Sequence, residues 1–211
     1  MARRKSRVRR GREEARRAIL AAAEKHLREG GPEAVRVQRV AADLGITDAA
    51  IHHHFGSRQG LMEALLAFAG RRLRDELEEI LESWDGEPDG LLRVAKRIAD
   101  TYAVQGHARL ALWLALSGWE PRGSGLFEPL VDAVHRARQR AARDRGVPPP
   151  RREDAQHGVA LLNLALAAEP LFGPGFLKSV GRDGGDADRE RFRRFVMGRL
   201  SRLLMGTDRE A

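Results

Sequence analysis

Histidines are the most conspicuous residues that could carry chemistry, because His52, His53 and His54 follow one another directly. Successive residues of a helix point about 100° apart, so three adjacent histidines cannot converge on one metal ion as an i, i+4 pair can. We therefore expect no metal site. The imidazoles of His52 and His53 instead point outward from a short helix, and His54 is expected at a phosphate or at the edge of the core.

No other part of the sequence offers a catalytic set of residues. It contains no nucleophile elbow, no phosphate-binding glycine loop, no dinucleotide-binding glycines and no pair of carboxylates at a catalytic spacing. Cysteine is absent, which excludes disulfides and thiolate metal sites. The sequence thus predicts no catalytic residue, no cofactor and no enzymatic activity.

Net charge is concentrated in the part of the chain that holds the histidines. Residues 1–60 contain 14 Lys and Arg against 7 Asp and Glu, a net charge of +7 out of the +8 of the whole chain. The remaining 151 residues are therefore almost neutral, at +1. Such segregation predicts an anionic partner for the first sixty residues only, and it argues against an architectural protein that is basic throughout.

The segment before the histidines has the periodicity of a short helix. Val37, Val40, Ala41 and Leu44 recur at steps of three and four residues, which places them on one helical face. Gly45 follows, and glycine readily adopts the left-handed conformation with which a helix ends in a tight turn. The pattern predicts one helix over these residues and a sharp turn after it.

A second short helix should carry the histidines. Ile46 is expected to turn back toward the core, and Thr47 has the side-chain oxygen that caps a helix start. Ile51 and Phe55 lie four residues apart and should face inward, which leaves an outer surface of Asp48, Ala49, His52 and His53. Such a pair of helices is typical of a helix-turn-helix that enters the major groove of DNA. An ordinary helical hairpin in an all-α domain would show the same apolar spacing.

The rest of the chain also reads as helical, since no run alternates between apolar and polar residues as a strand does. We predict an all-α protein in three parts. Residues 1–11 form a disordered basic arm, residues 12–57 a three-helix DNA-binding domain, and residues 58–211 a larger helical domain. Ser57 should cap a long helix that starts at Arg58, and a glycine-rich loop is expected over residues 173–187.

Neither a secretory signal nor a membrane span is evident. The N-terminal charges are not followed by an apolar run. The longest apolar stretch, residues 159–168, is shorter than the ~18 residues that a span requires and is interrupted by Asn163. We expect a soluble, cytoplasmic protein that does not associate with membranes.

The N-terminal part resembles the DNA-binding domain of the TetR/AcrR family of bacterial transcription regulators. The resemblance covers about residues 12–66 and rests on VQRVAADLGIT (residues 37–47) and DAAIHHHFGSRQGL (residues 48–61). Two positions depart from the usual pattern: His52 stands where a tyrosine is common, and Arg36 stands where a threonine often caps the first helix.

By this resemblance, the histidine helix lies in the major groove of double-stranded DNA, with His54 and Arg58 on phosphates. Arg58 would also suit a phosphate physically, because its charge adds to the positive end of a helix dipole. The residues expected to contact DNA are Arg36, Gln38, Thr47, Ala49, Ala50, His52, His53, His54 and Arg58.

The resemblance also implies a pocket for a small-molecule effector in the larger domain. Because this domain contains several large apolar and aromatic side chains, we expect the effector to be apolar or aromatic. The residues expected to line this pocket are Leu65, Phe68, Trp84, Tyr102, Trp113, Leu116 and Phe127.

The last two predicted helices carry apolar residues over too wide an arc for one contact surface. A homodimer, in which each subunit gives both helices to a four-helix bundle, would bury the excess and is also what the family resemblance implies. The residues expected at this interface are Val159, Leu162, Leu166, Phe192, Val196, Leu200 and Leu203.

The sequence thus favours a dimeric DNA-binding regulator, a repressor released from a pseudo-palindromic operator by a small effector. The alternative is a helical small-molecule-binding or enzymatic protein that does not bind DNA. That alternative predicts no enrichment of any duplex from a random pool.

Overall fold

The computed structural model describes residues 2–120 and 125–205, with the backbone alone for residues 2–10 and 88. Every regular element among these residues is helical, which confirms the predicted all-α class. The elements in chain order are α1 (Ala2–Gly30), a 3-10 turn (Pro32–Ala34), α2 (Val37–Leu44), α3 (Asp48–Phe55), α4 (Arg58–Glu82), α5 (Pro88–Ala103), α6 (His107–Leu116), α7 (Glu128–Arg145), α8 (Arg152–Ser179) and α9 (Asp186–Met205).

Two compact units make up the molecule. The first comprises residues 1–69 and 105–120, and the second comprises residues 70–104 and 121–211. The sequence predicted that the first domain ends at residue 57. In the structure, the first three turns of α4 and the whole of α6 also belong to the first unit.

The core of the first unit joins α6 to the helix-turn-helix. Ile51 from α3 and Leu61 from α4 are buried in it, as are Leu110 and Leu114 from α6. Sequence periodicity placed the helix-turn-helix residues in a core but gave no sign that α6, some fifty residues further on, completes that core.

The second unit has its own core, built from α5, α7, α8, α9 and the second half of α4. Trp84 fixes the connection between α4 and α5, since its indole donates a hydrogen bond of 2.7 Å to the Glu87 carbonyl. The glycine-rich connection between α8 and α9 is held by Asp188. Its carboxylate accepts hydrogen bonds from Arg191, Arg182 and the N–H groups of Asp183 and Gly184. The bonds from Arg191 and Arg182, followed by the Gly184 N–H, hold the pKa of Asp188 below its usual range.

The connection between α8 and α9 is shorter than the loop predicted over residues 173–187. The helix α8 continues to Ser179 through Pro170 and Pro174, and it includes the first part of the expected loop. Glu169 lies buried at this point and binds Arg189 at 3.0 Å and Arg193 at 2.9 Å, both from α9. These ion pairs and the burial of Leu177 offset the loss of backbone hydrogen bonds at the two prolines.

The prediction for the N-terminus also differs from the structure. Residues 1–11 were expected to be disordered, whereas α1 begins at Ala2 and runs without a break to Gly30. Charged residues in this arm do not prevent a helix, because arginine and alanine have high helix propensity.

The long helix α8 is the one element among the described residues that is apolar and long enough to cross a membrane. Its buried face nevertheless packs in the core of the second unit through Val159, Leu162 and Leu166, and it carries the ion-paired Glu169. One face of α8 is thus occupied by contacts within its own unit.

The place of α6 in the first core leads to a test with two neighbouring leucines. Leu114 is fully buried there, whereas Leu116, two residues on, is 81% exposed. Leu114→Ala should lower the free energy of unfolding of the first unit by about 2 to 5 kcal/mol, because it leaves a cavity. Leu116→Ala should change that free energy by less than about 0.5 kcal/mol. Urea unfolding measures both values, and equal effects of the two substitutions would show that α6 does not pack in this core.

Candidate nucleic-acid interface

The turn between α2 and α3 is closed by backbone hydrogen bonds. Gly45 ends α2 with a φ of 63°, in the left-handed region expected for it. The Ile46 N–H then donates to the Ala41 carbonyl at 3.1 Å. Ile46 itself is 37% exposed, so the expectation that it turns into the core is wrong. The backbone bond, rather than burial of that side chain, fixes the turn.

The start of α3 is capped as predicted. The Thr47 hydroxyl accepts a hydrogen bond from the Ala50 N–H at 3.3 Å. Asp48 in the first turn adds a favourable interaction with the positive end of the helix dipole. At α2, by contrast, Arg36 makes no side-chain cap, as the unusual residue at that position predicted.

The two faces of α3 differ as the sequence predicted. Ile51 is 1% exposed and anchors the helix in the first core, and Phe55 packs against that core. Ala49, His52 and His53 are exposed on the other side. His52 is also within hydrogen-bonding distance of the Gly56 carbonyl, with its Nδ1 at 3.1 Å. The outer face of α3 therefore presents two imidazoles beside a small residue.

The end of α3 is held by Arg16 of α1, a residue that sequence reasoning missed. Its guanidinium donates to the His54 carbonyl and lies 4.3 Å from the centroid of the Phe55 ring. A cation at this position also stabilises the negative end of the helix dipole. The spacing of Arg16 within α1 gave no sign of this role, because the contact joins residues 38 positions apart.

His54 differs from its two neighbours in being half-buried. Its Nδ1 has no hydrogen-bond partner among the described residues. Burial, followed by the positive fields of His53, Arg12 and Arg16, lowers the pKa of His54. The ring thus lies at the edge of the core, one of the two positions that the sequence left open for it.

The connection from α3 to α4 is tight. The Ser57 hydroxyl accepts from the Gly60 N–H at 3.0 Å, which confirms Ser57 as the cap of α4. A Cβ atom at Gly60 would lie 2.1 Å from the Phe55 carbonyl oxygen, so only glycine fits without a backbone shift. This close approach fixes the exit of α3 against the start of α4.

Arg58 is placed differently from the expectation. Its Nε donates to the Val35 carbonyl at 2.8 Å and its Nη2 to the Pro32 carbonyl at 2.6 Å. The guanidinium also lies 4.9 Å from the centroid of the Trp113 ring. Arg58 thus binds the turn between α1 and α2 from within the first unit, and two of its donors are not free for a phosphate.

The other residues expected to contact DNA are partly or fully exposed. Arg36, Gln38 and Thr47 are exposed, and Ala50 is half-buried. Arg39 on α2 is exposed as well and was missed, because no family position pointed to it. Together with the outer face of α3, these residues form a surface that is polar and basic apart from its alanines.

The residues expected to line an effector pocket do not come together within either unit. Leu65 is fully buried in the first core, where Phe68 and Trp113 pack, and Leu116 is exposed. Trp84, Tyr102 and Phe127 belong to the second core instead. Tyr102 donates to Asn163 Oδ1 at 3.1 Å, and burial raises its pKa to about 12. The predicted set is thus divided between the cores of the two units, since apolar content alone does not say which core a residue joins.

The second unit contains a cleft with a volume of about 530 Å³ between α4 and α7. It includes none of the residues predicted for the effector. Six of its nine lining residues are charged, and the full set is Arg74, Glu78, Leu81, Glu82, Gly125, Glu128, Pro129, Asp132 and Arg136.

The expected dimer residues fall into two groups. Val159, Leu162 and Leu166 are at most 2% exposed in the core of their own subunit, so they are not free to meet a partner. Phe192 and Leu203 are exposed, and Val196 and Leu200 are half-buried. The helix α8 instead exposes a stripe at steps of three and four residues, formed by Leu161, Leu164, Ala168, Phe172 and Phe176.

Comparison with known proteins supports the sequence resemblance. Residues 19–65 match the model of the bacterial regulatory proteins of the tetR family. The comparison with curated protein sequences gave no match. The matched residues span α2 and α3, which form the helix-turn-helix described above, together with the last part of α1 and the start of α4.

Solved structures share the fold over nearly the whole chain. A TetR-family transcriptional regulator from Pectobacterium atrosepticum is 22% identical, with 94% of this chain and 96% of that chain covered and a TM-score of 0.61. A TetR transcriptional regulator from Streptomyces coelicolor is 23% identical, with coverages of 88% and 97% and a TM-score of 0.54. AibR in complex with isovaleryl coenzyme A and operator DNA is 16% identical, with coverages of 88% and 97% and a TM-score of 0.55.

The family match lies on the capped helix with the exposed histidines, and the basic charge of the chain is concentrated around it. Residues 19–65 therefore match the DNA-binding domain of the tetR family of bacterial regulatory proteins, and the rest of the chain shares the fold of solved TetR-family regulators.

Proposed function

We propose that this regulator is a cytoplasmic repressor that binds a pseudo-palindromic operator as a homodimer and leaves it when a small effector binds. The observation that carries the proposal is the outer face of α3, where Ala49, His52 and His53 are exposed on a helix capped by Thr47. Small and polar side chains on such a face allow close approach to base edges in the major groove.

Specific and non-specific contacts are assigned to different residues. Ala49, Ala50, His52 and His53 read base edges, because they lie on the first turns and outer face of α3. Arg36, Gln38, Thr47 and the edge residue His54 lie around that face and contact the DNA backbone. Contacts to phosphates set affinity and its dependence on salt, whereas contacts to bases set the preferred sequence.

A second copy of the chain is the proposed partner of the exposed apolar surface on α8 and α9. That surface is formed by Leu161, Leu164, Phe172 and Phe176 on α8 and by Phe192, Phe195 and Leu203 on α9. Seven large exposed apolar side chains on two helices that contact each other favour a protein partner. Two copies would also place two α3 helices, the proposed recognition helices, at the ~34 to 36 Å spacing of successive major grooves.

The effector is proposed to bind in the second unit, to which α4 contributes residues 70–82. AibR, which shares the fold, was solved with both a coenzyme A thioester and operator DNA, and this supports an effector for the present chain. Effector binding would tilt α4, change the spacing of the two recognition helices and release the operator. Coupling of this kind is worth about 1 to 3 kcal/mol between two sites.

Selection of bound duplexes from a random DNA pool tests the proposal. The protein should enrich one pseudo-palindrome, and binding to it should weaken steeply as salt rises. Ala49→Asp should abolish the enrichment, because it places a carboxylate against the DNA. Ala115→Asp, at an exposed alanine of α6, should leave the enrichment unchanged. A pool in which the unmodified protein enriches no duplex would contradict the proposal and favour a helical protein that does not bind DNA.

The dimer surface is tested by Leu164→Asp combined with Phe195→Asp, at side chains that are 69% and 59% exposed. The double variant should be a monomer in analytical ultracentrifugation with unchanged helix content, and its operator affinity should fall because one recognition helix contacts only a half-site. Val147→Asp, at an exposed position after α7, is the matched control and should remain a dimer. A dimeric double variant would exclude this face.

A further inference from the structure

Arg58 stands at the centre of a contact network that the expected phosphate contact does not explain. Its two hydrogen bonds reach the carbonyls of Pro32, the first residue of the 3-10 turn between α1 and α2, and of Val35, the residue after that turn. The same guanidinium lies over the Trp113 ring of α6. One side chain at the start of α4 therefore contacts the turn before α2 and the helix α6.

Glu33 closes this network. One of its carboxylate oxygens accepts the indole N–H of Trp113 at 3.0 Å, and the other lies 3.8 Å from Nη2 of Arg58. Arg58, Glu33 and Trp113 thus contact one another in a ring that joins α4, the 3-10 turn and α6. We refer to these three residues as the Arg58 clasp.

The clasp is poorly suited to hold a phosphate. A bidentate phosphate contact uses two parallel N–H donors of the arginine, and two of the five are already bound to carbonyls. One face of the guanidinium is next to the indole, and the nearby Glu33 carboxylate would repel a second anion. Leaving the clasp would also strip two carbonyls of a charged donor.

Arg58 is well placed, however, to position the recognition helix. Only Gly56 and Ser57 separate Arg58 from the end of α3. The direct packing at Gly60 makes that connection stiff, so a shift of Arg58 relative to the 3-10 turn would also shift α3. Trp113 fixes the guanidinium from the side of α6, through a contact between residues 55 positions apart.

We infer that Arg58 is a positioning residue rather than a phosphate contact, and that Trp113 and Glu33 set operator affinity through it without touching DNA. The inference depends on the DNA-binding function stated above. It assigns to α6 a direct effect on the recognition helix within the first unit.

Two roles of Arg58, phosphate contact and positioning, can be distinguished by substitutions that retain its positive charge. Arg58→Lys keeps a cation for a phosphate but loses the paired hydrogen bonds and the flat stacking surface. Trp113→Leu removes the stacking partner, and Trp113→Phe keeps a ring at the same place. Operator and non-specific duplexes are titrated at several salt concentrations, at a temperature where circular dichroism shows each variant fully folded.

If the inference holds, Arg58→Lys and Trp113→Leu each weaken operator binding by about tenfold or more. Binding to non-specific DNA and the slope of log K against log salt stay unchanged, and Trp113→Phe retains most of the affinity. The double variant should bind no more weakly than the weaker single variant, because both substitutions break the same network.

Two results would overturn the inference. If Arg58→Lys binds as the unmodified protein does, while Arg58→Gln weakens all duplexes and lowers the salt slope by about 0.9 per arginine lost, Arg58 contacts a phosphate. If the variants lower the melting temperature but leave the ratio of operator to non-specific affinity unchanged, the clasp is merely structural. If the proposed DNA-binding function is wrong, the unmodified protein will itself prefer no duplex. That result is distinct from the two above, which require a protein that binds an operator.

Discussion

Burial of Ile51 is the interaction on which the DNA-binding surface depends. The helix α3 has eight residues, and a helix of that length is not stable in water by itself. Its conformation comes from its surroundings: Ile51 in the core, Thr47 at its start and Arg16 at its end. Because one face is fixed in this way, the opposite face can carry residues chosen for contact with DNA rather than for stability.

The same core explains why the DNA-binding unit is larger than its sequence motif. Leu110 and Leu114 of α6 are as deeply buried as Ile51, and Arg58 contacts Trp113 on the same helix. A helix outside the matched residues 19–65 thus supports the recognition helix. An effector signal that reached α6 would act on the same core as one that travelled along α4.

Local signals in the sequence were enough to predict the helix-turn-helix. Gly45, Thr47 and Ser57 each act on neighbouring backbone groups, and such short-range chemistry is the same in any fold. Contacts between distant residues were not predictable in this way. The packing of α6 in the first core, the hold of Arg16 on His54 and the clasp at Arg58 all join residues far apart in the chain.

The errors at α8 have a related cause. A helix that is apolar nearly all round does not reveal which face meets its own core, so Val159, Leu162 and Leu166 were assigned to a partner although they are buried in their own subunit. Residues 173–187 were expected to form a loop because of their glycines, but α8 continues to Ser179, and the buried Glu169 binds two arginines of α9 there. Tertiary contacts there outweigh local propensity.

The proposed function requires that the outer face of α3 reads DNA sequence. Repeating the duplex selection with His53→Asn tests this most directly, because residue 53 is exposed and its replacement leaves the core intact. The preferred base should change at the same position in both half-sites, while the distance between the half-sites stays the same. An unchanged consensus, or one altered in spacing alone, would contradict the assignment of this face to base recognition.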